Sequence, residues 1–389
     1  MKCKWEKKKI GDVVDIRRGA SPRPIHKYLA TTGMPWVKIA DATADDSRYI
    51  WKTKEYISNA DVSRLVQVEP ETLIVSNSAT PGLPKIMKIR ACVHDGWLVF
   101  SNYRGVIRDF LYYKFVDIRR TLVNQANGSV FQNLKTDIVR KFDINLPSID
   151  IQEKIVDILL KIDTKIELNN AINNNLEEQA QAIFSKEFLT FEAPPKDWKH
   201  LSLLDIANFQ NGLAMQKYRP VTVDESLPVL KIKELRQGFC DESSDLCSAN
   251  IKSDYIVDNG DVIFSWSGSL IIDFWCGGIC GLNQHLFKVT SNKYDKWFYY
   301  SWTKYHLDHF ISVAADKATT MGHIKRDELS KVDVLIPNET EYKRIGALLQ
   351  PIYNLIISNR IENKKLALLR DCLLPRLMSG ELDLSDIEI

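Results

Sequence analysis

Two groups of side chains in this sequence have the types and spacing to do chemistry. The first is a thiol cluster, Cys240, Cys247, Cys276 and Cys280, with His285 close behind. Four thiolates could bind zinc. Cys-x6-Cys and Cys-x3-Cys are not the usual knuckle spacings, however, and the first half of the chain offers only Cys92 in the corresponding region. The spacing weighs toward free, partly buried thiols over a zinc site. The second group is a set of polar loops whose Arg, Lys, Asn, Gln and Ser side chains supply cations and hydrogen-bond donors and acceptors. In the first half these are Arg17, Arg18 and Ser21; Ser76, Asn77 and Ser78; and Asn102 and Arg104, with Lys38 and Lys135 as additional cations. In the second half they are Gln210 and Asn211, Lys217 and Arg219, Ser265 and Ser267, and Asn283 and Gln284, with Lys231 and Lys325 standing where Lys38 and Lys135 stood. Taken singly, each also reads as a solvated loop residue or a turn hydrogen bond.

Catalytic constellations are missing from the sequence. It has no Asn-Pro-Pro-Tyr or Asp-Pro-Pro-Tyr run of the kind that grips a flipped base, no Gly-x-Gly-x-x-Gly and no phosphate loop ending in Lys-Ser/Thr. Glu362-Asn363-Lys364 has the Glu-x-Lys form of some nucleases but falls on a helix seam. Seven histidines form no His-x3-His or His-Glu-x2-His pattern, and Ser265-Trp266-Ser267-Gly268 is no nucleophile elbow. Trp36, Trp51, Trp266 and Trp275 could stack on bases, although core packing is the expected fate of most of them. The balance favours a binding module over a catalyst.

Bulk properties set the frame. At 389 residues the chain suits two domains. Hydrophobic and charged fractions of 45% and 26% are ordinary for a globular protein. No apolar run is long enough for a membrane span, and Met1–Glu6 lacks a secretory stretch, so a cytoplasmic protein is expected. Seven cysteines, an odd number scattered through both halves, fit reduced thiols better than a disulfide framework. A net charge of +2 does not announce a polyanion binder, and permits DNA contact only if the cations gather on one face or a partner adds more.

The elements that must position these groups occur twice. Trp5/Trp198, Asp12/Asp205 and Gly19/Gly212 share one separation, while Lys135/Lys325, Asp137/Asp327, Asp143/Asp333 and Pro147/Pro337 share a slightly shorter one. A period near half the chain means duplication and an approximate internal twofold. Short β-branched or aromatic segments read as strands: Trp36–Ala40, Thr72–Ser76 and Trp97–Ser101, with Leu227–Ile232 and Asp261–Ser265 as counterparts. Phe110–Phe115 and Trp297–Trp302 read as helices. The expected class is α+β (α/β-type), without the alternation of a doubly wound sheet.

After Pro147 and Pro337 the period becomes helical. Ile155, Leu159, Ile162, Ile166, Asn169, Asn173, Leu176, Ala180 and Ile183 step alternately by four and three, and so do Ile345, Leu349, Ile352, Ile356, Asn359, Asn363, Leu366, Arg370 and Leu373. Such seams suit two ordinary amphipathic helices packed on their own domains or, better, a coiled coil between the domains. Coincident Asn pairs cost stability and fix register. An antiparallel pairing places Asn169 near Asn363 and Asn173 near Asn359. At about 1.5 Å per residue, Ile155 to Ile183 spans roughly 42 Å, on the order of a DNA turn of about 34–36 Å.

The seams and their flanks carry a resemblance. Leu146–Leu160 resembles the start of the central helical region in specificity subunits of type I restriction–modification systems. Leu373–Leu382 resembles their C-terminal signature, and Gly128–Leu134 and Met321–Ile324 resemble the lead-in to each helix. Tyr342-Lys343 departs from the first copy's Gln152-Glu153. The likeness covers essentially the whole chain and implies two target recognition domains, 1–147 and 191–337, separated by an antiparallel pair of long coiled-coil helices in a central conserved region, 148–190, and a C-terminal conserved region, 338–389. Each domain would read half of a bipartite asymmetric DNA site, with the polar loops above as candidate contacts to base edges and phosphates. The helix pair would set the spacer and dock two modification (methyltransferase) subunits, joined by motor–nuclease restriction subunits. S-adenosylmethionine, ATP and Mg would sit on those partners, with no cofactor, metal or catalysis on this chain and no membrane contact. The competing expectations are a self-contained methyltransferase or nuclease with unrecognised motifs, and a coiled-coil scaffold without a DNA role.

Overall fold

A computed structural model describes residues 5–44, 47–126, 133–222, 225–316 and 324–384. The chain divides into two compact units, Met1–Glu167 with Leu366–Ile389, and Leu168–Lys365. The lead-in segments fall mostly outside the described residues, which include only Asn133, Leu134 and Ile324 from them.

In the first unit, one sheet orders Leu29–Ala30, Glu55–Ile57, Met34–Val37, Ala91–Val93 and Gln67–Val68. A second orders Asp15–Arg18, Trp97–Ser101, Leu73–Ser76, Pro84–Met87 and Tyr49–Ile50. The second unit carries Leu246–Ser248, Ser226–Leu230, Cys280–Leu282 and Ile256–Val257 in one sheet, and Asn208–Asn211, Leu286–Thr290, Val262–Ser265 and Ile271–Phe274 in the other. Pairing is mostly antiparallel, but Met34–Val37 runs parallel to Ala91–Val93, Tyr49–Ile50 to Pro84–Met87, and Ser226–Leu230 to Cys280–Leu282. Leu73–Ser76 and Val262–Ser265 are buried at every position, which is why both read as unbroken β-branched or aromatic runs rather than alternating ones.

Each unit closes in the same way. Glu6–Lys9 pairs antiparallel with Asp143–Leu146, and Lys199–Ser202 with Asp333–Ile336. The strand at the start of each copy is thereby tied to the strand that leads into its long helix, so the repeated stations at both ends belong to one frame.

Two strand expectations change at their ends. Trp36–Ala40 splits into the strand Met34–Val37 and a helical turn Ile39–Ala42, and Leu227–Ile232 ends at Leu230 before a helix Ile232–Gln237. In both, the backbone N–H of the intervening lysine donates to a carboxylate three residues on, Lys38 to Asp41 at 2.8 Å and Lys231 to Glu234 at 3.2 Å. That capping bond starts a helix where apolar character alone suggested more strand.

The long helices run Ile149–Phe188 and Glu339–Ser379. In the first unit, Ile155 and Leu159 join Phe110, Phe115, Leu374 and Leu377 in one core. In the second, Ala180, Phe184 and Phe188 pack with Ile345, Leu349 and Ile356. No described helix is long and apolar enough to cross a membrane.

Candidate nucleic-acid interface

The two glycines that mark the repeat hold a matched turn in each unit. A Cβ on Gly19 would lie 2.1 Å from the His94 carbonyl oxygen, and one on Gly212 would lie 2.2 Å from that of Asn283, so only glycine fits. Gly19 N–H donates to Trp97 O at 2.9 Å and Gly212 N–H to Leu286 O at 3.1 Å. The next amides, of Ala20 and Leu213, donate to Val93 O and Leu282 O at 3.2 and 2.9 Å. The turns His94–Trp97 and Asn283–Leu286 then close alike, Trp97 N–H to His94 O at 3.1 Å and Leu286 N–H to Asn283 O at 3.0 Å. Inside each, the first side chain accepts from the third amide: His94 Nδ1 from Gly96 at 2.6 Å, Asn283 Oδ1 from His285 at 3.2 Å. The residue after the central strand meets the segment leading to the long helix, as Leu134 N–H donates to Asn77 O at 2.8 Å and Ile324 N–H to Trp266 O at 3.1 Å.

The side chains on this shared frame differ. In the first unit Arg18 Nε donates to Asp95 O at 2.7 Å and its guanidinium stands 3.7 Å from the Asp95 carboxylate. Ser21 Oγ donates to Asp95 Oδ1 at 2.7 Å, and Asn77 Nδ2 to Asp95 O at 3.0 Å. Burial lowers the His94 pKa against the opposing pull of Asp95, in keeping with a neutral ring whose Nδ1 accepts. In the second unit Trp266 Nε1 donates to Asn211 Oδ1 at 3.1 Å, Gln210 Nε2 donates to Asn211 O at 3.2 Å, and Gln284 Nε2 lies 3.3 Å from His285 Nε2. Sequence reasoning passed over His94 and Asp95 because loops of unequal length separate them from Gly19, which breaks the constant offset to Asn283 and Gln284. Aligning the copies on the strand after each turn would have paired them.

Other sequence candidates serve the frame. Ser76, Asn77, Ser265, Ser267 and Asn283 are buried, not loop residues reaching solvent. Ser76 Oγ accepts from Leu83 N–H at 3.0 Å and Ser265 Oγ donates to Ser267 O at 3.1 Å, turn bonds that leave little for a ligand. Half-buried Ser78 accepts from Thr80 N–H through its carbonyl at 2.6 Å. Lys38 is paired with Glu55 at 2.6 Å and Lys231 with Asp245. Arg104 bridges Asp15 at 2.8 Å and the carbonyls of Asp12 and Asn102, each at 3.1 Å, while Asn102, at φ 54°, donates to Asp15 at 2.7 Å. Arg17 is exposed and donates to Gln67 O at 2.7 Å. Lys135, Lys217, Arg219 and Lys325 are exposed, Lys135 and Lys325 each opening a helical turn.

Trp36 and Trp275 are core residues, whereas Trp51 is 59% exposed, with Lys88 Nζ 5.8 Å from its ring. Its neighbours Lys52 and Lys54 leave it at a surface loop rather than in the packed interior. Among the described residues no three His, Cys, Asp or Glu side chains are arranged to hold a metal. Burial pushes the Cys276 thiol up to about 11.

The helix seams pair antiparallel within the second unit. Asn169 Nδ2 donates to Asn363 Oδ1 at 2.8 Å and to Glu362 at 2.7 Å, and Asn359 Nδ2 donates to Asn173 Oδ1 at 2.9 Å. Arg360 joins Glu177 at 2.8 Å to Asp273 of a sheet strand at 2.6 Å. In the first unit, Arg370 binds Asp163 at 2.9 Å, Tyr113 OH donates to Asp163 at 2.6 Å, and Arg48 Nη1 donates to Tyr113 OH at 3.2 Å.

A duplicated α+β frame, paired long helices and exposed polar turns with unlike side chains define a sequence-reading scaffold, and similarity gives it a family. Residues 2–178 and 195–368 match the type I restriction modification DNA specificity domain, and the chain belongs to that family. It is thus a DNA-specificity component rather than a catalyst. It is 25% identical over 414 residues to the type I restriction enzyme MjaIX specificity subunit of Methanocaldococcus jannaschii, covering 98% of this chain and 94% of that one. It is 20% identical over 365 residues to the HindI specificity subunit of Haemophilus influenzae, covering 73% and 80%. The fold is similar to the crystal structure of a type I restriction-modification S subunit from M. genitalium, with a TM-score of 0.61, 14% identity and coverage of 97% and 96%.

Proposed function

We propose that each unit reads one half of a bipartite DNA site for a type I restriction–modification complex, through the exposed side chains around its glycine-gated turn. The observation that carries this reading is the matched backbone of the two turns beneath unmatched polar side chains. Arg17, Arg18, Ser21 and the Lys135 region serve the first half-site. Gln210, Asn211, Gln284, Lys217, Arg219 and the Lys325 region serve the second. Asn102, Arg104, Lys38 and Lys231 position these loops through their carboxylate partners.

The paired helices set the spacer, with Asn169, Asn173, Asn359 and Asn363 fixing their register, and they offer the surface on which two modification subunits dock. S-adenosylmethionine belongs to those subunits, and ATP and Mg to motor–nuclease subunits. Mapping methylated adenines in a host with and without this chain tests the reading. Loss of a bipartite motif on deletion is the expected result, and an unchanged set of motifs refutes it. Adding one heptad after Asn169 with its partner heptad in the second helix should lengthen the accepted spacer and leave the half-site bases unchanged.

A further inference from the structure

The side chains on the two matched turns differ in charge as well as identity. The first presents a guanidinium beside a carboxylate, with Arg18 and Asp95 side chains 57% and 43% exposed. The second presents amides, exposed Asn211 and half-exposed Gln284, beside Trp266 and His285. The same backbone bonds thus carry side chains of unlike chemistry in the two units.

We propose that these turns are base-reading centres of different chemistry: Arg18 and Asp95 read a G·C base pair, and Asn211 and Gln284 read an A·T base pair. The inference rests on the specificity-subunit reading above and names the residues and base classes within it. Guanidinium donors match guanine O6 and N7, and a carboxylate accepts from the cytosine N4 amino group, so adjacent Arg and Asp side chains can address both bases of one pair. Asp95 also partly neutralises Arg18 before DNA arrives and, with Ser21 holding Asp95 Oδ1 at 2.7 Å, orients the pair in advance. A guanidinium tied in this way is placed for readout more than for phosphate attraction.

In the second turn an amide presents one donor and one acceptor in a plane, the pattern that matches adenine N6 and N7. The Trp266 indole N–H fixes Asn211 by its Oδ1 at 3.1 Å, and the indole is itself braced by the His285 and Phe287 rings at 6.0 and 5.8 Å. Trp266 is a positioning residue here. It stands at the station that Asn77 occupies in the first unit, where the Asn77 amide holds the Asp95 carbonyl instead.

The test uses the complex assembled from the full chain and its modification subunits, and duplex libraries in which one half-site is randomised while the other stays native. Arg18→Ala and Asp95→Ala should each flatten the preference at one G·C position of one half by roughly 5- to 150-fold. Gln284→Ala should do so at one A·T position of the other half. In each case the untouched half keeps its wild-type preference, which also shows that the chain is folded. Asp95→Asn and Gln284→Glu, near in shape, are read alongside in case an alanine variant fails to assemble, and should shift the preferred base at the same position. Preserved preference at every position, an equal loss across both halves, or a change at a base pair of the other class overturns the proposal. If the wild-type complex itself shows no bipartite preference, the specificity-subunit reading fails instead.

Discussion

Replacing Arg370 with alanine should destabilise the first unit far more than a surface arginine would. Asp163 is 9% exposed at its side chain and Arg370 30%. Burial alone would lower the Arg370 pKa, but the Asp163 carboxylate overcomes it and raises that pKa above the ordinary value, so the guanidinium stays charged. Truncating Arg370 leaves the Asp163 carboxylate with the Tyr113 hydroxyl at 2.6 Å. Breaking a buried pair from one side costs about 3–5 kcal/mol, and partial access of water to Arg370 brings the expectation to about 2–3 kcal/mol. For a unit of this size that is a fall in Tm of roughly 5–10 °C. Scanning calorimetry of the purified chain, with Asp163→Leu, Arg370→Met and the double variant, completes the test. The double variant should recover most of the loss, because an apolar pair of similar volume leaves no stranded charge. A Tm within about 1 °C of wild type for Arg370→Ala, or strict additivity in the cycle, would refute the reasoning.

Gly19→Ala and Gly212→Ala should each distort one turn, because the added carbon would meet a backbone oxygen at 2.1 or 2.2 Å; base preference should degrade in one half-site only, read by methylation of randomised duplexes. Exchanging Asn169, Asn173, Asn359 and Asn363 together for leucine should raise the unfolding midpoint in urea while broadening the range of accepted spacers, because the polar seam residues fix register at a cost in stability. Hydrogen bonds from Asn102 and Arg104 hold the Asp15 pKa below its ordinary 3.8. That contribution to stability is complete above the unfolded value and disappears as pH falls through the folded one. Asp15→Asn should therefore flatten the loss of stability below about pH 4 in acid titrations followed by circular dichroism.

Much of this architecture is legible in one sequence because duplication writes each structural requirement twice. The glycine stations recur because each faces a carbonyl too close for a Cβ. The Asn stations recur because each must find an amide partner across the seam. Arg370, an odd member of an apolar seam where the first copy has Ala180, is explained once Asp163 is seen beside it. The candidate readers are less legible. Serine, asparagine and lysine on a loop carry the same hydrogen-bonding groups whether they face solvent or close a turn, and the sequence does not record which partner is nearer.

The sequence by itself determined the repeat, the two helical seams, their antiparallel Asn pairing and the family, because these depend on periodicity and on residue types with few structural alternatives. Only the tertiary structure decided which polar residues are left to act. It buried Ser76 and Ser265 at strand ends and Asn283 in a turn, paired Lys38 and Lys231 with carboxylates, and brought Asp95 to Arg18 across 77 residues of chain. The physical reason is that a hydrogen bond or ion pair is satisfied by whatever lies within about 3–4 Å, and that proximity is set by strand order and loop length rather than by any local pattern of residues.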